Sequence, residues 1–181
     1  MKSWTILGVA AAAALVSPRL EAKPKTAHNK EKNMKSYTVG PVTFNAPDSG
    51  IETSDVGQNA YEAALHGATT PTEKGAWVTF VTMSKDELAP IPAASQMPYF
   101  KTTFLGTAKP SEKPVTRTFL QKQVTGESQQ AKVPRALTLE AYRVDLDDGG
   151  ALFIGMRRLS SFPAADAEAF FSAVASSLKL K

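Results

Sequence analysis

From Tyr37 onward, apolar and polar positions mark out short strands broken by turn formers, with two helical stretches among them. Tyr37-Thr-Val-Gly-Pro-Val-Thr-Phe44 reads as two extended pieces around a Gly40-Pro41 turn, closed by Ala46-Pro47. Asp48–Gln58 is rich in turn formers and is expected to be loop. Asn59–Gly67 (NAYEAALHG) holds helix-favouring alanine and glutamate but is short and lacks a convincing cap. The loop-like Gly67–Gly75 behind it tilts the reading towards strand. Ala76–Ser84 (AWVTFVTMS) has apolar groups at both parities, the pattern of a central strand covered on both faces.

The spacing predicts a helix over about Ala94–Leu105, with Ser95 as cap, Pro98 in the first turn and Gly106 as terminator. Phe100 and Phe104 fall on one face, beside Tyr99 and Thr103. After Lys109–Pro114, Val115–Val124 reads as a strand. Ala136–Leu146 changes phase: Leu137, Leu139 and Ala141 alternate at odd positions, then Tyr142, Val144 and Leu146 at even ones. Either a β-bulge near Ala141–Tyr142 keeps both sets on one core, or the strand is buried on both faces. Ala151–Leu159 follows as a strand. A closing helix begins at Pro163 behind Ser161, with Asp166 and Glu168 near its positive end and Lys179 and Lys181 at the other. Its apolar stripe is Ala167, Phe170, Phe171, Val174 and Leu178. There is no internal repeat. The fold class is α+β, an antiparallel sheet flanked by helices and closed by a C-terminal amphipathic helix, in one domain over 36–181.

Ahead of that domain the pattern changes. Met1–Ala22 has Lys2, an apolar run from Ile6 to Val16 and then Ser-Pro-Arg-Leu-Glu-Ala, the layout of a secretory signal peptide. The run is about half the roughly 20 residues a membrane-spanning helix needs. Cleavage is expected after Ala22, with cleavage after Ala14 or none as the alternatives because Leu20 is large for its place. Residues 23–35 then form a polar, basic tether. The chain is expected to be exported, to the periplasm or beyond.

Charge changes the picture only once it is placed. Of the net +4, residues 23–35 hold five lysines against Glu31, whereas from Ser36 onward fourteen Lys and Arg face fifteen Asp and Glu. The folded part is close to neutral, which argues against nucleic acid as a partner. The tether could touch an anionic membrane surface weakly. Without cysteine, disulfides, thiolate metal sites, cysteine nucleophiles and lipobox attachment are all excluded.

Candidates for chemistry are few. Asp145-Leu-Asp-Asp-Gly-Gly150 resembles the start of a calcium loop, but Gly149 stands at the fifth position and Met156 at the twelfth, where oxygen ligands are required. Strand pattern follows the glycines, so they open no phosphate-binding helix. The stretch reads as a tight turn. His28 lies in the tether and His66 at a strand edge, with no ligand cluster around either. Carboxylates are scattered singly, and nucleophile-elbow and nucleotide-binding motifs are absent. Trp77, Tyr99, Phe100, Phe104, Phe119 and Tyr142 are read as core, with a ligand-cavity lining as the alternative. Arg157-Arg158 should place one side chain on each side of a sheet, one solvated and one at the edge, with an anion contact as the functional reading. No catalytic, cofactor-binding or metal residue is assigned.

The order strand pair, loop, two strands, helix, three strands and closing helix resembles the PsbP-like α/β/α sandwich. "SYTVGPVTFNAP", "LEAYRVDLDDGGALFIGMRRL" and "FPAADAEAFFSAVASSLKL" carry the resemblance. It implies a non-catalytic binding or assembly factor without cofactor. With the export signal, the expectation is an accessory protein of the bacterial envelope that recognises a protein partner. The alternatives are a carrier of a small apolar ligand between curved sheet and helix, and an enzyme using dispersed carboxylates or His66.

Overall fold

The computed structural model describes residues 34–47, 51–57, 59–66, 74–107, 113–131 and 136–181, all within one compact unit. The expected signal peptide and most of the expected tether lie outside these residues. Two antiparallel meanders build the main sheet. One is β3 (Ile51–Gly57), β4 (Ala60–His66) and β5 (Lys74–Met83); the other is β6 (Lys113–Phe119), β7 (Lys122–Ala131), β8 (Leu137–Asp145) and β9 (Ala151–Leu159). They join through β5 and β9, giving seven strands in the order β3-β4-β5-β9-β8-β7-β6. A hairpin of β1 (Met34–Val39) and β2 (Val42–Pro47) pairs with the two-residue β10 (Lys179–Leu180) in a second, three-stranded sheet.

Period-2 alternation sorts the side chains of the main sheet into two cores. Phe80, Tyr142, Val144, Leu152, Ile154 and Met156 pack with β1, β2 and helix α3 (Ala164–Ser176). Val81, Leu139, Ala141 and Phe153 pack on the other face under α1 (Lys85–Leu88) and α2 (Ala93–Phe104). The molecule therefore has three layers. Ring contacts knit the first core, with Phe44–Phe80 at 4.7 Å and Phe119–Tyr142 at 4.9 Å; Phe100–Phe153 at 5.2 Å serves the second. Of the expected stripe, Ala167, Phe170, Phe171 and Val174 lie on the face that α3 buries, whereas Leu178 is buried beyond the end of the helix.

Several expectations need correction. Ile51–Gly57 is an edge strand, not loop: an edge pairs on one side only and tolerates the turn formers of ETSDVG. Val115–Val124 is not one strand, because the chain reverses at Leu120-Gln121, both at positive φ (49° and 63°). Neither residue type favours that conformation, so the turn left no mark in the sequence. Ser95 does not cap α2; Pro92 occupies the cap position with φ preset at −51°, and Pro98 lies inside the helix. Lys179 extends no helix but pairs with Thr43. The tether ends earlier than Lys35, since Met34 and Lys35 already belong to β1. β8 carries no bulge. Its pairing with β9 runs unbroken from Leu137 to Asp145, so its two apolar sets serve the two cores.

Candidate functional site

Between α3 and strands β6, β8 and β9 lies a cleft of about 440 Å³, within the range of small-molecule and side-chain pockets. Its charged wall is assembled from three elements. Arg117 stands on β6 at an inward position between Val115 and Phe119, Glu140 on β8 at the parity of Tyr142, and Glu168 on the first turns of α3. Arg117 Nε donates to Glu140 Oε2 at 2.6 Å and Nη2 to Oε1 at 3.3 Å. Nη1 and Nη2 donate to Glu168 Oε1 and Oε2 at 2.6 and 2.8 Å. Tyr142 donates its hydroxyl to Glu140 Oε2 at 2.6 Å, and Ser172 donates to Glu168 Oε1 at 3.2 Å. The guanidinium also lies 5.9 Å from the Phe171 ring centroid, within cation–π reach. Gly126 on β7 makes room for the Tyr142 ring, which a Cβ at that position would strike.

This network fixes its own protonation. Bonding to Glu168 first, then to Glu140, raises the Arg117 pKa against the opposing effect of burial. The same bond holds Glu168 below its ordinary value. Burial, then the bond to Glu140, raises Tyr142 and keeps it a neutral donor. One guanidinium engages both carboxylates, four hydrogen bonds in all. The arrangement locks α3 to the sheet and shapes the cleft wall.

Arg158 lies across the cleft floor from that wall. Its Nη1 donates to Leu159 O at 3.2 Å and Phe162 O at 3.0 Å. Thr138 stands directly opposite on β8. Met156, Phe171 and the alanines of the first turns of α3 make the remaining surface apolar.

The other face buries a second cluster. Glu62 accepts from Arg157 Nη2 at 2.7 Å, Lys74 Nζ at 2.8 Å and Thr79 Oγ1 at 3.2 Å, and Arg157 stacks 4.9 Å from the Trp77 ring centroid. Burial lowers the Arg157 pKa, opposed by Glu62. The expectation of one solvated and one edge arginine therefore fails. β9 is the central strand, and each arginine is part-buried and hydrogen-bonded.

The other sequence candidates do not converge. Phe119 and Tyr142 fill one core, Phe100 and Phe104 belong to the opposite one, and Trp77 stacks on Arg157. Tyr99, 40 % exposed, lines a separate groove of about 400 Å³ with Met83, Ile91 and Phe104. His66 ends β4 opposite Lys74, and His28 lies outside the described residues. Asp145–Gly150 joins β8 to β9: Leu146 and Gly150 bond across it, Gly149 sits at φ +85°, and Asp148 accepts from Gly150 N at 2.8 Å. Asp145 pairs with Arg143 at 2.8 Å and Asp147 faces Lys122 at 3.7 Å. Among the described residues no three His, Asp or Glu side chains gather as metal ligands. Arg117, Glu140 and Glu168 were not singled out from the sequence. The one signal is that Arg117 stands between apolar Val115 and Phe119 and Glu140 two places before Tyr142; Glu168 was read only as a dipole-facing acid of the closing helix.

Comparison with known protein families and with curated protein sequences returned no match. Among solved structures, a protein from Bacteroides thetaiotaomicron aligns with a TM-score of 0.50 and 10 % identity, over 82 % of this chain and 48 % of that one. The chain thus spans about half the length of that protein. The Ran-binding protein Mog1p of Saccharomyces cerevisiae aligns at 0.49 with 11 % identity, over 82 % and 96 %. The Pseudomonas aeruginosa protein PA94 aligns at 0.41 with 10 % identity, over 77 % and 92 %. The chain is similar in fold to small α+β proteins.

Proposed function

We propose that this chain is an exported, non-enzymatic accessory protein of the bacterial envelope, of the PsbP-like α/β/α type, which recognises a protein partner. The observation that carries the reading is the Arg117–Glu140–Glu168 network. Its charged groups are spent on each other and on holding α3, so the cleft offers a shaped, rigid surface rather than an acid–base pair. The three layers, with helices on both faces of an antiparallel sheet, support the sandwich type. The signal layout of Met1–Ala22 supports export. The lysines of residues 23–35 give the body a weak, salt-sensitive attraction to anionic surfaces while the folded part supplies specificity.

Expression of the full chain in a Gram-negative host tests the proposal. The expected result is a periplasmic form beginning near Lys23 that is chemically cross-linked to a defined envelope protein. Truncation to Met34, the first residue of β1, should preserve that cross-link at high salt. A full-length species confined to the cytoplasm would defeat the export reading. Cross-linking by the tether alone would defeat recognition by the folded body.

A further inference from the structure

Resting on that reading, we infer that the cleft beside α3 binds an acidic side chain of the partner polypeptide through Arg158 and Thr138. Arg158 is half-buried and pinned at one end: Nη1 spends its two hydrogens on Leu159 O and Phe162 O. Among the described residues nothing accepts from its Nε or Nη2, and neither is sealed from solvent without a partner, in contrast to Arg157 Nε on the opposite face. An arginine anchored in this way presents a fixed planar fork at little further entropic cost, which suits a carboxylate. Thr138 is its direct cross-strand neighbour on the same face, and its hydroxyl has no partner among the described residues.

Charge selects the occupant. Arg158 pairs with no carboxylate among the described residues, whereas Arg117 is bracketed by two. The Arg117–Glu140–Glu168 trio holds one net negative charge on the far wall, which disfavours a dianion such as a phosphate monoester and tolerates a single carboxylate drawn to Arg158. Met156 and Phe171 supply an apolar bed for the residues flanking that acid. A cleft of about 440 Å³ holds one side chain with its neighbours, not a domain.

The full chain is titrated with acetyl-Leu-Glu-Leu-amide and with its glutamine counterpart, followed by calorimetry and amide chemical shifts. The glutamate peptide should bind roughly tenfold more tightly, as a charge-assisted fork predicts. The shifts should centre on Thr138, Arg158 and Ala164–Ala165. Arg158→Gln should abolish the preference, and Thr138→Val should weaken it with the melting temperature unchanged. Equal binding of the two peptides, no binding, or shifts centred elsewhere overturns the inference without needing any variant to fold. Free glutamate binding as tightly as the peptide would make the occupant a small acid and also overturns it. If Arg158→Gln still cross-links the envelope partner as wild type does, the cleft is not the contact and recognition by another surface stands. If wild type cross-links nothing while the peptide result holds, the accessory-protein reading falls and the carboxylate site remains.

Discussion

The two faces of the main sheet each bury an arginine, and the two arginines are perturbed in opposite directions. On the α3 face, Arg117 meets two carboxylates through four hydrogen bonds, three of them short, and its pKa rises. On the α2 face, Arg157 meets one carboxylate, Glu62, which it shares with Lys74, and the Thr79 hydroxyl at 2.7 Å, and desolvation lowers its pKa. Arg157 is the more deeply buried, and burial is the main cause of its shift, although the side-chain exposures of 19 % and 13 % lie close together. The number of compensating carboxylate oxygens differs too, and the two together decide which effect wins. On the α3 face Arg117, Glu140 and Glu168 are spent on one clasp. The α2 face holds its cation with a single acid, a threonine hydroxyl and a tryptophan ring.

The largest tests ask whether both cores hold the fold. Phe170→Ala under α3 and Phe100→Ala in α2 should each destabilise by about 3–5 kcal/mol, since each ring is almost wholly buried in its own core. Urea unfolding of the two single variants and the double is the measurement. A midpoint left unchanged by either one would show that its helix is not docked as described.

Removing one acid from each face sharpens the contrast. Glu62→Gln strips Arg157 of its only carboxylate partner among the described residues, in a site 14 % exposed, and should cost about 3 kcal/mol, as breaking a buried pair does. Glu168 is 54 % exposed, and Arg117 keeps Glu140 when it is lost, so Glu168→Gln should cost only about 0.5 kcal/mol. The pH dependence has a definite sign. Glu168 has a folded pKa below its ordinary 4.5, so its contribution is present above that value and disappears as pH falls through the folded pKa. Below pH 4.5 the wild type should therefore lose stability slightly faster than Glu168→Gln. Parallel acid-unfolding curves would show that the Arg117 clasp adds nothing to the docking of α3.

How far the sequence could be read follows from the same contrast. Strand β5 was legible as central because it has apolar residues at both parities, whereas β9 was legible as a strand but not as a central one. The phase change in Ala136–Leu146 left two readings, and only pairing with β9 chose between them. Helix α1 was overlooked although Ser84 and Glu87 form a capping box, a signal that Ser-Lys-Asp-Glu carried in plain view. The cleft was illegible for a different reason. Arg117, Glu140 and Glu168 lie more than twenty residues apart, and only antiparallel pairing through β7 and the docking of α3 bring them together. A lone Arg between Val115 and Phe119, or a lone Glu two places before Tyr142, marks an inward charge but names no partner.

The smallest expected effect concerns the turn that delivers Arg117 to its face. β6 and β7 pair without a slip from Lys113 to Phe119, and Leu120-Gln121 closes them with both residues at positive φ. A one-residue slip would turn Arg117 from the α3 face to the other, away from both carboxylates. Leu120 packs against the first core, whereas Gln121 is exposed, so the strain at Gln121 is the part that can be relieved without loss of packing. Left-handed backbone costs a non-glycine residue about 1–2 kcal/mol, and glycine returns roughly half of that through its greater freedom when unfolded. Gln121→Gly should therefore stabilise the protein by about 0.5 kcal/mol and leave the shifts of Arg117 and Glu168 unchanged, whereas Gln121→Pro, locked near φ −65°, should disrupt the hairpin. Stabilisation by Gln121→Gly accompanied by loss of the Arg117–Glu168 contact would mean that the strained turn itself holds the register and, through it, the asymmetry between the two faces.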